Sequence, residues 1–400
     1  MEWKETVFDN VARLNRGFDL PNQKIEEGAY PVVASTSIKA FHKEYKIEGP
    51  GVVTGRSGSL GTVQYITGRF WPLNTSLYVK DFKGNDEKFI AYFLETMRLE
   101  NFNSGAGVPT LNQNHLHKLS VKIPPLPIQR KIAAILTAYD DLIETNKRHI
   151  VLLEKMTEEF YREWFVRMRF PGHQNYKFVK GVPDGWEEST LKNFCEKVTD
   201  GTHDTPKPSD SGHLLVTGKN IRDYQVDFEG AYFISENDHN EISKRSGLKE
   251  WDILYSNIGT VGQIAIVGAS PDYSVKNVII FRPINAHESL FLFHVLKNPA
   301  IAEHLIAFSS GASQQFIGLG TVREFKILKP LPAQIEMFGQ ITSKFFEQRN
   351  SLISSNQILS CLRDLLLPRL ISGKLSVEGL DIQFPPSIQE EPTAPEATHA

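Results

Sequence analysis

The feature that most constrains the fold is an internal repeat, because a duplicated unit has to fold the same way twice. Residues 52–63 (VVTGRSGSLGTV) align with residues 253–264 (ILYSNIGTVGQI), and two glycines coincide in the two segments. Four more segment pairs follow in the same order: 74–79 with 277–281, 89–94 with 290–296, 105–106 with 311–312, and 121–129 with 327–334. The offset drifts only from 201 to 206 residues. The sequence therefore predicts two copies of one unit.

The order of elements is the same in both copies. Short strand-like runs with Gly-rich turns come first, followed by a short helix, an apolar strand, a Pro-Leu-Pro segment and a long helix. Strands and helices interleaved in this way predict an α/β (α+β) fold with an internal pseudo-twofold repeat.

The two long helices carry an apolar heptad pattern, which is typical of coiled coils. The predicted seam of the first helix is Ile128, Ile132, Ile135, Tyr139, Leu142, Asn146, His149, Leu153, Met156 and Phe160. The predicted seam of the second is Phe338, Ile341, Phe345, Gln348, Leu352, Ser355, Leu359, Leu362 and Leu366. Pro368 is expected to end or kink the second helix.

Since each long helix follows a globular unit, the simplest arrangement is an antiparallel coiled coil with the units at opposite ends. The first helix, residues 128–165, would then span roughly 55 Å. The alternative is two amphipathic helices, each packed on its own domain. Polar Asn146 and His149 are expected to specify the register, with a ligand role as the alternative. Phe160, Trp164 and Phe165 belong either to the core or to a docking surface.

Composition excludes several classes of protein. Hydrophobic residues make up 40% of the 400-residue chain, which suffices for packed cores, and no run approaches the roughly 18 apolar residues of a membrane helix. The only two cysteines, Cys195 and Cys361, exclude a disulfide framework and a multi-cysteine zinc site. The first residues lack the layout of a signal peptide, so we expect a cytoplasmic protein.

The charge balance argues at first against a nucleic-acid-binding protein. The chain has 44 Lys and Arg against 47 Asp and Glu, a net charge of −3. Four of the acids lie in residues 379–400, a segment rich in Pro, Glu and Ala that we expect to be disordered. The rest of the chain is therefore close to neutral, and nonspecific attraction to phosphates should be weak for the isolated chain.

Sequence motifs of catalysis are missing. The chain has no G-x-G-x-x-G, phosphate loop, H-E-x-x-H or methyltransferase Pro-Pro-aromatic tetrapeptide, and the glycines of residues 55–61 have the wrong spacing for dinucleotide binding. Residues 324–326 (EFK) could mimic the end of a nuclease motif, but no Pro-Asp partner lies at a plausible distance. A non-enzymatic protein is the leading class.

Three groups of segments resemble a known family. Residues 124–165, with PPLPIQRKIAAILTAYDDLIETNKRHIVLLEKMTEEFYREWF, are similar to its central conserved region. Residues 331–346 and 362–377 are similar to its distal conserved region, and residues 184–206 to the opening of a target-recognition domain. On these segments the chain resembles the specificity subunit of Type I restriction–modification systems, over nearly all of its length except residues 379–400.

The resemblance implies a non-catalytic DNA reader with no cofactor or metal of its own. Two target-recognition domains would each read one half of a split, asymmetric site in double-stranded DNA. The conserved helices would form an antiparallel coiled coil that sets the spacer and docks two modification (methyltransferase) subunits, and restriction subunits would join for cleavage. S-adenosylmethionine, ATP and Mg would belong to those partners.

The same resemblance implies the domain boundaries. Residues 1–125 would be the first target-recognition domain, and residues 126–170 the central conserved helix and the start of a linker. Residues 171–330 would be the second target-recognition domain, residues 331–378 the distal conserved helix, and residues 379–400 the acidic tail.

Candidate DNA-reading residues are those of hydrogen-bonding type in Gly-rich or polar loops. In the first half they are Arg16, Thr54, Arg56, Ser57, Ser59, Asn112 and Gln113. In the second half they are Thr202, His203, Lys207, Lys219, Asn220, Asn257, Thr260, Gln314 and Gln315. Arg56 is the strongest candidate. The structural alternatives are a hairpin whose arginine is merely solvated and an Asx turn at Asp200-Gly201.

Two other functions remain open. The chain could be the recognition portion of a self-sufficient methyltransferase or nuclease, which methyl transfer by the isolated chain would reveal. It could also be a coiled-coil scaffold with no DNA role, in which case no half-sites would be protected in a footprint.

Overall fold

A computed structural model describes residues 3–105, 107–309 and 315–385. Contacts between residues divide the chain into two units, residues 1–147 with 353–400 and residues 148–352. We call these unit 1 and unit 2. The division falls inside both long helices. The boundaries implied by the family resemblance remain a prediction. No helix within the described ranges is both long and apolar enough to cross a bilayer.

The strands of unit 1 are β1 (Lys4–Val7), β2 (Arg13–Arg16), β3 (Tyr30–Val33), β4 (Ile38–His42), β5 (Gly51–Gly55), β6 (Val63–Ile66), β7 (Trp71–Pro72), β8 (Ser76–Asp81) and β9 (Ser120–Ile123). Its helices are α1 (Glu87–Thr96), α2 (Gln113–His117) and the first part of α3 (Leu126–Tyr161). A four-stranded antiparallel sheet has the order β2-β8-β5-β6, and a three-stranded sheet has the order β4-β3-β7 with β3 and β7 parallel. β1 pairs with β9.

The strands of unit 2 are β10 (Phe178–Val179), β11 (Val182–Pro183), β12 (Glu187–Thr190), β13 (Lys197–Asp200), β14 (His213–Thr217), β15 (Ile221–Arg222), β16 (Gln225–Val226), β17 (Tyr232–Ile234), β18 (Ile253–Ser256), β19 (Ile264–Ile266), β20 (Tyr273–Lys276), β21 (Val278–Arg282) and β22 (Lys326–Lys329). Its helices are α4 (Leu191–Phe194), α5 (Glu236–Ser246), α6 (Ala286–Lys297), α7 (Pro299–Ala307), α8 (Leu319–Glu324) and the first part of α9 (Pro332–Ile371).

The sheets of unit 2 repeat those of unit 1, which confirms the predicted duplication. The four-stranded sheet has the order β13-β21-β18-β19, and the three-stranded sheet β17-β14-β20 again contains one parallel pair, β14 with β20. β12 and β22 pair as β1 and β9 do. The main departures are helical: unit 2 contains α5, and α7 stands where unit 1 has the 3-10 turn Leu99–Phe102. The repeat pair 105–106 and 311–312 lies partly outside the described residues.

Each unit has its own apolar core, to which both long helices contribute. In unit 1 the start of α3 and the end of α9 pack with α1, through Ile132, Leu136, Phe93, Leu370 and Ile371. In unit 2 the start of α9 packs with the end of α3 and with α6, through Phe338, Trp164, Phe165 and Phe291. Trp164 and Phe165 are therefore core residues. At these ends each long helix packs on a domain, as the alternative arrangement predicts.

The long helices face each other in each unit with opposite directions. In unit 1, Asn146 Nδ2 donates to Asn356 Oδ1 at 2.9 Å and Arg363 Nη1 donates to Asp140 Oδ1 at 2.6 Å. In unit 2, Arg349 Nε donates to Glu154 Oε1 at 2.5 Å, and the rings of Phe160 and Phe345 stack with their centroids 6.1 Å apart. Partner numbers on α9 fall as those on α3 rise, so the pairing is antiparallel within each unit.

The structure corrects five positions of the predicted seam. Ile132, Asn146 and Leu153 are buried, and Ile135, Tyr139, Phe345, Leu352, Leu359 and Leu366 are half-buried. Leu142, Met156 and Leu362 are wrong, because they are 47%, 45% and 43% exposed. His149 and Gln348 are also exposed. The inward positions are one residue later, at Ile143, Thr157, Arg349, Asn356 and Arg363.

The helix bounds differ slightly from the prediction. α3 begins at Leu126, and a π-helical turn, Arg162–Val166, continues it after Tyr161. α9 runs past Pro368 to Ile371, so the proline does not end it. A proline has no N–H to donate to the carbonyl four residues earlier, which here belongs to Asp364. Asp364 is exposed, so water can replace the missing donor. Residues 386–400, most of the predicted tail, lie outside the described residues.

Candidate nucleic-acid interface

Two predicted loops of unit 1 form one surface. The Gly58 amide donates to the Pro109 carbonyl at 2.9 Å, and the Leu111 amide donates to the Arg56 carbonyl at 2.8 Å. A bridge between Ser57 and Thr110 lies between these bonds. We call residues 54–61 together with residues 103–105 and 107–114 the first loop pair.

Unit 2 builds the same arrangement from the aligned residues. The Gly259 amide donates to the Gln315 carbonyl at 3.0 Å, and the Ile317 amide donates to the Asn257 carbonyl at 3.0 Å. We call residues 257–262 together with residues 315–318 the second loop pair. The duplicated sequence therefore folds into a duplicated backbone frame at the candidate interface.

Glycines make the tight turn of each loop pair possible. Gly58 and Gly61 have φ of +87° and +94°, and Gly259 and Gly262 have +78° and +96°. Residues other than glycine rarely adopt these backbone angles. The coincidence of glycines in the repeat thus has a conformational cause.

Arg56 is half-buried and tied to the strand connection beside it. Its Nη1 donates to the Asn74 carbonyl at 3.2 Å, and the side-chain amide of Asn74 donates to Asp19. Arg16, at the end of β2, lies 3.6 Å from the same Asp19 carboxylate. The structure therefore brings Arg16 and Arg56 into one polar network, which leaves part of the Arg56 guanidinium for a ligand.

The other unit 1 candidates differ in accessibility. Ser59 is exposed, and Gln113 is half-buried. The Ser57 carbonyl accepts from Ser35 Oγ at 3.0 Å. Asn112 caps α2, because its side chain accepts from the Asn114 amide. Thr54 is fully buried in β5 and is not accessible from outside.

His203 is a candidate of unit 2 whose ring is held by two other side chains. It is exposed, and its ring contacts Asp200 Oδ2 at 2.8 Å through Nε2 and Asn277 Oδ1 at 3.0 Å through Nδ1. Asp200 also accepts from Arg245 Nη2 at 2.6 Å. These bonds replace the Asx turn considered for Asp200, and they fix the imidazole at the surface.

The remaining unit 2 candidates fall into two groups. Thr202, half-buried, accepts from the Asp204 amide, while Lys207, Lys219, Thr260 and Gln315 are exposed. Asn220 and Asn257 are buried and bond to backbone atoms of unit 2. Gln314 lies outside the described residues.

The aligned residues Asn74 and Asn277 are functional candidates that reasoning from residue type missed. The Asn74 amide donates to the Phe18 carbonyl, and the Asn277 amide donates to the Thr202 carbonyl. Their side chains contact Asp19 in unit 1 and His203 in unit 2, respectively. The repeat contained the signal, since it aligns these two asparagines.

A buried ion pair supports the sheet that carries the second loop pair. Arg282 on β21 donates to both carboxylate oxygens of Asp252, with Nε–Oδ1 at 2.7 Å and Nη2–Oδ2 at 2.5 Å. These hydrogen bonds raise the pKa of Arg282 against the opposing effect of burial. The pair fixes β21 next to the loop that enters β18, and β18 leads directly into residues 257–262.

Comparison with known proteins identifies the family. The family model for the type I restriction modification DNA specificity domain matches residues 1–155 and 183–358. The Type I restriction enzyme MjaIX specificity subunit of Methanocaldococcus jannaschii is 24% identical over 305 residues, which cover 70% of this chain and 66% of that relative. This aligned region is slightly less than two thirds of that relative's length.

A second relative and one solved structure are similar to the chain over most of its length. The MjaVIII specificity subunit of the same organism is 22% identical over 383 residues, 89% of this chain and 88% of the relative. The crystal structure of an S subunit of a Type-I restriction-modification system from M. genitalium has a TM-score of 0.63 at 17% identity, covering 92% of this chain and 96% of that chain. That likeness shows the fold. Since two matches to the family model cover most of the sequence, the chain belongs to the type I restriction modification DNA specificity family.

Proposed function

We propose that this chain is the non-catalytic specificity subunit of a Type I restriction–modification complex and that its two loop pairs read the two halves of a bipartite, asymmetric DNA site. The observation that carries this proposal is one backbone frame built twice with different side chains. Arg56 of the first frame corresponds to Asn257 of the second, and Ser59 corresponds to Thr260. Different donors and acceptors on one frame suit two different half-sites.

The accessible candidates, inside the loop pairs and outside them, form the proposed reading set. In unit 1 it consists of Arg16, Arg56, Ser59 and Gln113, and in unit 2 of His203, Lys207, Lys219, Thr260 and Gln315. Thr54, Asn220 and Asn257 are buried and are left out of this set, and the side chains of Asn220 and Asn257 donate to backbone carbonyls instead. Asn112 caps α2, Thr202 accepts from the Asp204 amide, and the Ser57 carbonyl accepts from Ser35, so we assign these three residues to positioning their loops.

The long helices carry exposed apolar side chains that suit partner docking. On α9 of unit 1, Ile358, Leu362 and Leu365 are exposed at helical spacing, and on α3 of unit 2 Val151, Leu152 and Met156 are exposed. Contiguous exposed apolar residues are typical of protein interaction sites. We assign these faces to two modification subunits, one for each repeat, with restriction subunits joining the complex.

In this proposal the helix pair also fixes the spacer between the half-sites. The methyl donor S-adenosylmethionine, ATP and Mg belong to the partner subunits. The segments 126–170 and 331–378 would then be the conserved helices, between target-recognition domains at 1–125 and 171–330.

Co-expression with the modification subunit of its own system tests the proposal. Methylome sequencing should reveal one bipartite motif, and footprinting of the complex should protect two separated half-sites. The isolated chain should transfer no methyl group. Methylation by the isolated chain would favour the self-sufficient enzyme, and a complex that protects no half-site would favour the scaffold.

A further inference from the structure

A second polar cluster lies in unit 2, apart from the loop pairs. His213 begins β14, which pairs with β17 on one side and with β20 on the other. Asp272 directly precedes β20, and Glu236 and His239 lie in the first turns of α5, which follows β17. The sheet register therefore brings four titratable side chains from three elements to one corner of the three-stranded sheet.

The side chains are close enough to share one ligand. His213 Nδ1 lies 2.5 Å from Asp272 Oδ1, and its Nε2 lies 2.6 Å from Glu236 Oε2. The rings of His213 and His239 stack with their centroids 3.8 Å apart. One ring nitrogen of each histidine and a carboxylate oxygen of Asp272 all lie within 4.8 Å of one another.

We propose that His213, His239 and Asp272 bind one divalent transition-metal ion, with Zn²⁺ as the best fit. Two imidazoles and one carboxylate are donors that zinc accepts at about 2.0–2.2 Å, with water in the remaining position. Mg²⁺ and Ca²⁺ prefer sets made of oxygen alone. The proposal does not depend on the function assigned to the loop pairs.

The non-ligating nitrogens have partners of the kind that metal-bound histidines require. With Nδ1 of His213 on the metal, its Nε2–H donates to Glu236. With Nε2 of His239 on the metal, its Nδ1–H donates to Ser274 Oγ, which lies 2.9 Å away. Such partners fix the tautomer and the ring orientation and strengthen the metal–nitrogen bond.

Binding requires a small local rearrangement. The stacked rings are only 15° from parallel, so both lone pairs point at one ion only after the rings tilt apart. Tetrahedral ligand atoms at zinc distances are about 3.4 Å from one another, as the bond lengths require. The contact between Asp272 and His213 therefore opens by somewhat less than 1 Å. The exposed Asp272 side chain has room for this movement.

A bound ion would cross-link β14, β20 and α5. The cluster lies at the His213 end of β14, whereas Thr217, at the other end, pairs with Lys276 beside Asn277 and the second loop pair. Four residues of strand, roughly 13 Å, separate the two ends. The ion would thus stabilise the sheet without touching the residues that we assign to DNA.

Calorimetric titration of the chelator-treated full chain with ZnCl₂ tests the site, and Co²⁺ absorption reports the coordination geometry. We expect one strong equivalent of Zn²⁺, a tetrahedral Co²⁺ spectrum and a higher Tm with Zn²⁺. His239→Ala and Asp272→Asn should each weaken Zn²⁺ binding at least about tenfold, and Glu236→Gln should weaken it about tenfold through His213.

His203→Ala is the matched control, because it removes a histidine of unit 2 that lies outside the cluster and should leave Zn²⁺ affinity unchanged. Circular dichroism without metal establishes that each variant is folded. The proposal is overturned if the folded wild-type chain binds no strong equivalent of Zn²⁺. It is equally overturned if His239→Ala and Asp272→Asn bind Zn²⁺ as tightly as the wild type.

Discussion

Residue type alone overestimates how many polar side chains are accessible to a ligand. Asn220 illustrates this point, since its Oδ1 accepts from the amide and the hydroxyl of Thr217 while its Nδ2 donates to two backbone carbonyls. These bonds hold the loop that follows β14. His203 differs because its ring is held by two partners and remains exposed.

We predict a separation of effects between Arg56→Ala and His203→Ala. Each variant should weaken protection of one half-site about tenfold or more and leave the other unchanged, because each side chain serves only its own unit. Quantitative footprinting of the assembled complex measures this effect. Lys192→Ala, which removes an exposed lysine of α4, serves as the control. Equal weakening of both half-sites would contradict the assignment.

The buried His294 makes the stability of unit 2 sensitive to acid. Burial, aided by the charge of Lys297, lowers the pKa of His294 to about 3. In the unfolded chain the imidazole takes up a proton near its ordinary pKa of about 6.5. Between these two values the unfolded state binds one more proton, so the free energy of unfolding falls as the pH drops from 6.5 towards 3.

We therefore expect His294 to contribute a slope of about 1 kcal/mol per pH unit below pH 6. His294→Leu removes the titrating group and should flatten this dependence. Denaturant unfolding of the full chain at pH 5 and pH 7 compares the variant with the wild type. The same pH dependence in both would contradict the prediction, because His294 would then contribute no slope.

At the scale of elements, the heptad pattern predicts both long helices. It predicts one of the two apolar positions within the heptad poorly. Positions such as Ile132 and Leu153 are apolar and buried. The other inward positions include Asn356 and Arg363, which are polar and bond across to Asn146 and Asp140. A search for apolar residues therefore selects the neighbouring Leu362, which is exposed.

This exposed face leads to a prediction about assembly. Leu362→Glu should preserve the fold, since the side chain is 43% exposed, and should weaken binding of the modification subunit about tenfold or more. Gln357→Glu adds the same charge to another exposed position of α9 and should bind normally. Pull-down and calorimetry with the purified modification subunit measure the difference. Normal binding by Leu362→Glu would exclude this face as the docking site.

For the whole molecule, the charge balance sets how DNA is bound. The net charge of −3 over 400 residues provides little general attraction to phosphates. We expect the isolated chain to bind DNA weakly and its affinity to rise greatly when modification subunits are present to supply further phosphate contacts. Fluorescence anisotropy at physiological salt, with and without the modification subunit, measures the change. Tight binding by the chain alone would contradict this expectation.

The sequence by itself determined the duplication, the element order and the two long helices. These features depend on local periodicity and on glycines that recur because a turn requires positive φ, as at Gly58 and Gly259. The repeat also aligns Asn74 with Asn277.

Only the tertiary structure decided which polar residues are accessible, which helix positions face inward and which distant residues meet. Asn257 and Arg56 occupy aligned positions, yet one is buried and the other is half-buried. His213 and Asp272 are 59 residues apart, and only the register of β14 with β20 brings them together. The physical reason is that burial and hydrogen-bond partners arise from contacts between distant segments, which local sequence patterns do not contain.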